Sequence, residues 1–380
     1  MDLFKRTSSM FDSFEDDDES DQGEHTPTGN QGEWSLHTHM KIGFIGEWKI
    51  AQILIQGNML TIQVNEEEDP FEETINAKKI KNSEVIKDAT KLCNLNPPEP
   101  SSPIIVIEYV DKCLYFMPVC GLTDCTGVEM WIEAARVSNK NGLEDQQLTI
   151  DDIPVIVDKC IQFITTQGCL SEGIYRLAGI NRRIISLIEE FRRNAWAVRL
   201  NPCEYSEHDV ANVLKRFFRT LDSPLLTKNL RHSWIEAAGI EDNDHKQEVY
   251  RELLSKLPEI NYKTLRRLIV HLRSVSEQHE ENLMPISNLT SLWGPTTLTV
   301  DNMTRFTFSD TPAQVTVLTD LTDHFYDLFD VCDEEVQKEK DLLEVCKSEA
   351  AKENPDMHPD LSPTTTPTRQ PPGDMKVSMR

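Results

Sequence analysis

The stretch Gly173-Ile174-Tyr175-Arg176-Leu177-Ala178-Gly179 organises the reading of this chain. It sets one arginine, flanked by glycines, on a short turn between two segments of helical periodicity. Alone it says little, because most arginines are ordinary surface residues. Two later segments give it weight: Lys215-Arg216-Phe217-Phe218-Arg219, and Asn288 through Gly294-Pro295.

These segments fall within a helical region from Leu148 to about Asp330. Ile184, Leu187, Ile188 and Phe191 recur at i, i+3, i+4 and i+7, as do Val210, Leu214, Phe217 and Leu221. Leu265, Leu268, Ile269 and Leu272 continue the pattern. Asp151-Asp152-Ile153-Pro154 predicts a capped helix start with proline in the first turn. Lys215 and Arg219, four apart, are predicted to share a helix face opposite the apolar stripe. Such a face is ordinarily just solvated; two like charges at that spacing also suit an anionic partner. Asn288, among Ile286, Leu289, Leu292 and Trp293, reads as a satisfied amide in an apolar helix that Gly294-Pro295 ends.

Upstream, residues 34–140 read as strands followed by one helix. Leu60, Ile62 and Val64 alternate with Met59, Thr61 and Gln63, the period of a half-buried strand. Gly57-Asn58 predicts a hairpin turn after Ile50–Ile55. A second turn is predicted at Asp111-Lys112, between Ile104–Tyr109 and Cys113–Phe116. In the helix that follows, Val128, Trp131 and Ala135 share one face.

The 380 residues carry a formal charge of −25, with 64 Asp and Glu against 39 Lys and Arg. This excludes a general duplex nucleic-acid binder, which needs cations against phosphate. Yet basic residues outnumber acidic ones from Arg176 to Arg231, and a basic face on an acidic body suits a specific phosphate-bearing partner. The nine cysteines include no CxxC pair, so no metal is implied and reduced thiols of a cytoplasmic protein are expected. No apolar run is long enough to span a bilayer. Residues 1–33 read as an acidic disordered segment, 331–354 as an acidic helical extension, and 355–380 as a disordered tail.

The three motifs together resemble the Rho GTPase-activating (RhoGAP) domain, an all-α fold. The resemblance implies that Arg176 is a finger inserted in trans into a Rho-family small GTPase of Rho, Rac or Cdc42 type. A planar, always-charged guanidinium there meets the charge that spreads over a transferring phosphoryl group. It implies that Lys215, Arg219, Asn288 and Pro295 shape the GTPase-binding face, with Lys215 and Arg219 supporting the finger loop. It implies no cofactor of the chain's own, since GTP and Mg²⁺ belong to the GTPase, and no independent turnover. Thr296-Thr297 departs from the Asn-Leu often found after the Pro.

Residues 34–140 resemble a pleckstrin-homology (PH) domain, a β-sandwich with a C-terminal helix, in which Trp131 matches the plugging residue. The basic cluster that holds phosphoinositides there is missing: only Lys41 and Lys49 are basic between His37 and Ala51, and Glu66-Glu67-Glu68-Asp69 adds acid. A protein-contact or structural role is favoured over lipid binding, with recruitment to the membrane periphery left as the second option. The stretch Leu143–Asp158 resembles the domain entrance of the ARAP family, which combines Arf-GAP, Rho-GAP, ankyrin and PH modules. The four-cysteine finger of an Arf-GAP part is absent from this sequence. Two functional readings stand: a GTPase activator, and a catalytically silent GTPase-binding scaffold of the same fold.

Overall fold

The computed structural model describes residues 34–43, 46–64, 70–88, 90, 95–110, 112–119, 121–136, 141–299, 310–329, 337–338, 340–345 and 347–348. The acidic N-terminal segment, Glu66-Glu67-Glu68-Asp69, most of 331–354 and the tail 355–380 lie outside them. The chain divides into two compact units, with the break after Ala134.

The first unit is one antiparallel sheet of β1 (Trp34–Ile42), β2 (Lys49–Gln56), β3 (Met59–Val64), β4 (Phe71–Asn76), β5 (Ile80–Ile86), β6 (Ile104–Tyr109) and β7 (Lys112–Pro118). Their order is β4-β3-β2-β1-β7-β6-β5. The two edge strands, β4 and β5, are consecutive in the chain and joined only by the short helical turn Ala77–Lys79. Six inter-strand gaps of about 4.8 Å would put the edges of a flat sheet roughly 29 Å apart. A link this short reaches no more than about 14 Å, so the sheet must curl. The described strands form one continuous curled sheet.

Leu60, Ile62 and Val64 are all buried, as their alternation requires. The β2–β3 hairpin turns at Gly57-Asn58, with Gly57 at φ +56°. In the second hairpin Lys112 already belongs to β7 and pairs with Tyr109, so the turn begins at Val110. After β7, α1 (Leu122–Arg136) buries Cys125, Val128 and Ile132. Trp131, expected as the plug, is only half-buried; its indole Nε1 donates to the Gly57 carbonyl at 2.7 Å. An amphipathic ring at the rim keeps its polar tip satisfied there.

The second unit is helical: α2 (Val155–Gln167), α3 (Asn181–Asn194), α4 (Glu207–Arg219), α5 (Arg231–Ala238), α6 (Asn243–Ser255), α7 (Glu259–Ser276), α8 (His279–Asn282), α9 (Ile286–Leu298), α10 (Thr311–Asp323) and α11 (Phe325–Leu328). Their apolar faces share one core, in which Leu187, Val210, Leu214, Leu268, Trp293 and Leu318 are buried.

Two helix ends differ from the sequence reading. Pro154 is the residue before α2, not within its first turn, and no side chain caps that end. The Asp152 carboxylate is turned instead to Lys263 on α7, 3.0 Å away. Pro295 does not end α9, which continues to Leu298. Interrupting a helix with proline costs about 3 kcal/mol, but this last turn is anchored. Thr296, Thr297 and Leu298 are buried, and the Thr299 N–H donates to the Pro295 carbonyl at 2.9 Å. Gly294 lets α10 approach closely: a Cβ on it would lie 2.6 Å from the Gln314 carbonyl oxygen.

Candidate functional site

Arg176 sits at the outer end of the turn between α2 and α3, exposed to solvent. Its guanidinium has no hydrogen-bond or ion-pair partner among the described residues. Its backbone is fixed. The Arg176 and Leu177 N–H groups both donate to the Gly173 carbonyl, at 2.8 and 2.9 Å. Gly173 has φ +66°, the left-handed region that glycine enters without penalty. Tyr175 also sits there, at φ +67°. For a residue with a Cβ this costs roughly 1–2 kcal/mol, so contacts around the turn must impose it.

Those contacts come from five directions. The Lys215 ammonium, on α4, donates to the Tyr175 carbonyl. Asn212, one turn earlier on α4, donates to the Leu177 carbonyl at 2.9 Å. The Gly173 N–H donates to the Asn282 carbonyl at 2.8 Å. The fully buried Asn282 side chain in turn bonds the Cys169 and Val275 carbonyls at 2.7 and 2.8 Å. The Tyr175 ring meets Trp293 of α9 edge-on at 5.2 Å, and its hydroxyl lies 2.5 Å from His271 Nε2 of α7. Thr165 of α2 completes that line, with its hydroxyl 3.0 Å from His271 Nδ1.

The exit of the turn is held by Asp209. It forms a reciprocal capping box with Ser206 at the start of α4. Its other carboxylate oxygen takes the Ile180 N–H at 2.6 Å, and Arg183 approaches at 3.4 Å. Burial pushes the Asp209 carboxyl up, but bonds from the Ile180 and Ser206 amides, the Ser206 hydroxyl and Arg183 outweigh it and hold it below the ordinary value. Gly179 packs so closely that a Cβ would lie 2.6 Å from that carboxylate. The two glycines flanking Arg176 thus act differently: Gly173 makes the turn, and Gly179 makes room for Asp209.

The other site residues separate by depth. Lys215 does not share an open face with Arg219: it is 7% exposed, and burial, then the nearby Arg219 charge, pulls its ammonium down to about 8. Its four-carbon stem lets a residue on the polar side reach inward to the Tyr175 carbonyl, beyond what helix angles alone reveal. Arg219 is exposed, and its Nε donates to the Thr296 hydroxyl at 3.3 Å, tying the end of α4 to α9 beside Pro295. Asn288 is half-buried and bonds the Leu283 carbonyl at 3.4 Å. Arg182, Arg183, Arg216 and Arg219 stay exposed around the turn, the basic face expected from the charge distribution. The sequence reading missed Tyr175, Asn212, Asp209, His271 and Asn282. Only Ser206-x-x-Asp209 carried a signal, a capping-box spacing before an apolar run.

Residues 154–302 match the family model of the RhoGAP domain. The matched residues come after the curled sheet in the sequence. The protein named "Arf-GAP with Rho-GAP domain, ANK repeat and PH domain-containing protein 3" of Mus musculus is 36% identical over 234 residues, covering 62% of this chain and 15% of that protein. The corresponding protein 2 of Mus musculus is 33% identical over 207 residues, 54% of this chain and 12% of that one. The chain therefore spans about 15% of the length of the first of these relatives and less of the second. The crystal structure of the BH domain from Graf, the GTPase regulator associated with focal adhesion kinase, is 29% identical with a TM-score of 0.43, covering 47% of this chain and 94% of that one.

Proposed function

We propose that this chain stimulates GTP hydrolysis by a Rho-family small GTPase by inserting Arg176 in trans. One observation carries this: a solvent-exposed arginine with no partner among the described residues, on a turn held in a costly backbone conformation by buried groups from α2, α4, α7 and α9. A side chain needed only for solubility would not require so fixed a base. Phosphoryl transfer needs charge stabilisation at a defined point, and the guanidinium supplies it with little reorganisation. GTP and Mg²⁺ come with the partner.

Lys215 acts from inside, by holding the Tyr175 carbonyl, whereas Arg219, Asn288 and Pro295 line the docking side. Thr296, bonded to Arg219, stands where the related pattern has asparagine and sets the contour of that side. The region 148–330 is the activating module. Residues 34–140 form a PH-like module, a reading supported by the curled antiparallel sheet and its closing helix. Its weak lipid affinity follows from Lys41, which is buried and donates to the Leu95 carbonyl at 3.4 Å rather than facing a headgroup.

The test is single-turnover GTP hydrolysis by Rho, Rac and Cdc42 proteins with and without the full chain, beside capture on each GTPase loaded with a transition-state mimic. Stimulation that vanishes in Arg176→Ala supports the reading. Capture without stimulation of any of them replaces it with the silent scaffold.

A further inference from the structure

Beside Ile174, Tyr175 sends its side chain from the turn into the core, and it carries the polar group there. It is completely buried. Its hydroxyl reaches His271 Nε2, and His271 Nδ1 reaches the Thr165 hydroxyl, at 2.5 and 3.0 Å. His271 is itself completely buried and Thr165 nearly so. In either neutral tautomer one ring nitrogen donates and the other accepts, so both bonds are made at once. The line crosses three elements: α2 through Thr165, α7 through His271, and the turn through Tyr175. A phenylalanine at 175 would fill the same volume and keep the edge contacts to Trp293 and His271. The hydroxyl therefore adds something packing does not need: a fixed depth and rotation for the residue whose carbonyl Lys215 holds and whose C-terminal neighbour is Arg176.

We infer that the Thr165–His271–Tyr175 chain is a positioning device that sets the orientation of Arg176, with His271 and Tyr175 as positioning residues. The inference rests on the proposed role of Arg176. Its physical content, an ordered turn, can be read without that role. Left-handed backbone at a residue bearing a Cβ persists where surrounding structure over-determines it. Removing the hydroxyl takes away a buried polar anchor of Tyr175 and lets the turn sample ordinary φ values. Arg176, the next residue, then spends less time aligned. Misplacement on the ångström scale lowers rates far more than it lowers binding.

Three variants of the full chain test this: Tyr175→Phe, His271→Phe and their combination. Tyr175→Phe is expected to lower single-turnover GTP hydrolysis at saturating chain by about tenfold. The half-saturating concentration against GTPase bearing a non-hydrolysable GTP analogue should change less than about twofold. Amide hydrogen exchange at residues 173–177 should accelerate at least about tenfold. Because one chain of bonds is broken in each, the double variant should be no worse than the single ones. His271→Gln, which keeps a donor and an acceptor, should recover part of the loss. Tyr250→Phe is the control, since it removes a hydroxyl bond to Asp320, 2.9 Å, elsewhere in the helical core. Wild-type exchange at 173–177 in Tyr175→Phe would overturn the inference. So would equal rate loss in Tyr250→Phe at equal loss of thermal stability. If the unaltered chain stimulates no Rho-family GTPase, the functional reading fails, and the exchange measurement alone still decides whether the chain of bonds orders the turn.

Discussion

Two turns in this molecule use the same backbone region for different ends. At Gly57-Asn58, the glycine sits at φ +56°, and a Cβ added to it would meet nothing within 4 Å. The turn's form is local: glycine between two strands closes a hairpin, and Trp131 merely covers it. At Gly173–Leu177, φ is +66° at a glycine and +67° at a tyrosine. Nothing in the tyrosine favours that conformation; Lys215, His271, Trp293, Asn212 and Asn282 impose it. A turn that only reverses the chain can be coded by two residues. A turn that must aim a side chain is fixed by distant ones.

The contrast breaks first at Arg176. Arg176→Ala should lower stimulated GTP hydrolysis by on the order of 10²–10⁴, with the thermal midpoint unchanged, because the guanidinium has no partner among the described residues. Arg176→Lys should recover little, since an ammonium lacks the planar fork. Single-turnover rates beside a thermal melt check both. A large fall in stability would mean the arginine belongs to the fold.

Next comes Gly179. Gly179→Ala puts a methyl 2.6 Å from Asp209 and should cost about 1–3 kcal/mol in urea unfolding of the chain. Gly57→Ala, with open space around it, should cost only about 1 kcal/mol, from its positive φ. Equal costs would erase the distinction between a glycine that makes room and a glycine that makes a turn.

Lys215 sharpens the comparison through pH. Its ammonium is pulled down to about 8 in the folded chain from an ordinary 10.5, so between these values the unfolded chain binds more protons. Stability attributable to Lys215 therefore rises as pH climbs from 8 towards 10.5 and is flat below 8, by up to about 1 kcal/mol per pH unit. Urea midpoints of the chain and of Lys215→Met, measured from pH 7 to 10, should diverge in favour of the lysine as pH rises. Parallel curves would mean the ammonium is not desolvated at the Tyr175 carbonyl.

The smallest effect is expected at the hairpin. Trp131→Phe removes one indole bond to Gly57 and should cost about 0.5–1.5 kcal/mol with no change in hydrolysis.

Periodicity alone located the apolar faces of α3, α4 and α7 and the alternation of β3, because burial on one side of a regular element leaves its repeat in the chain. Glycine and its neighbour marked the hairpin at residue 57, since left-handed backbone is cheap there. The order of three motifs pointed to the RhoGAP family model that residues 154–302 match. What the linear pattern did not hold was depth and partnership. Lys215 lies on the polar side of its helix by angle yet is buried, because its flexible stem reaches a carbonyl forty residues away. Pro295 has the local character of a helix stop, yet α9 continues, because the turn beyond it is buried and Gly294 brings α10 close. The line from Thr165 through His271 to Tyr175 joins residues about a hundred apart in sequence. Which polar groups meet in a desolvated core depends on how whole helices stack, and that is decided only when the chain closes on itself.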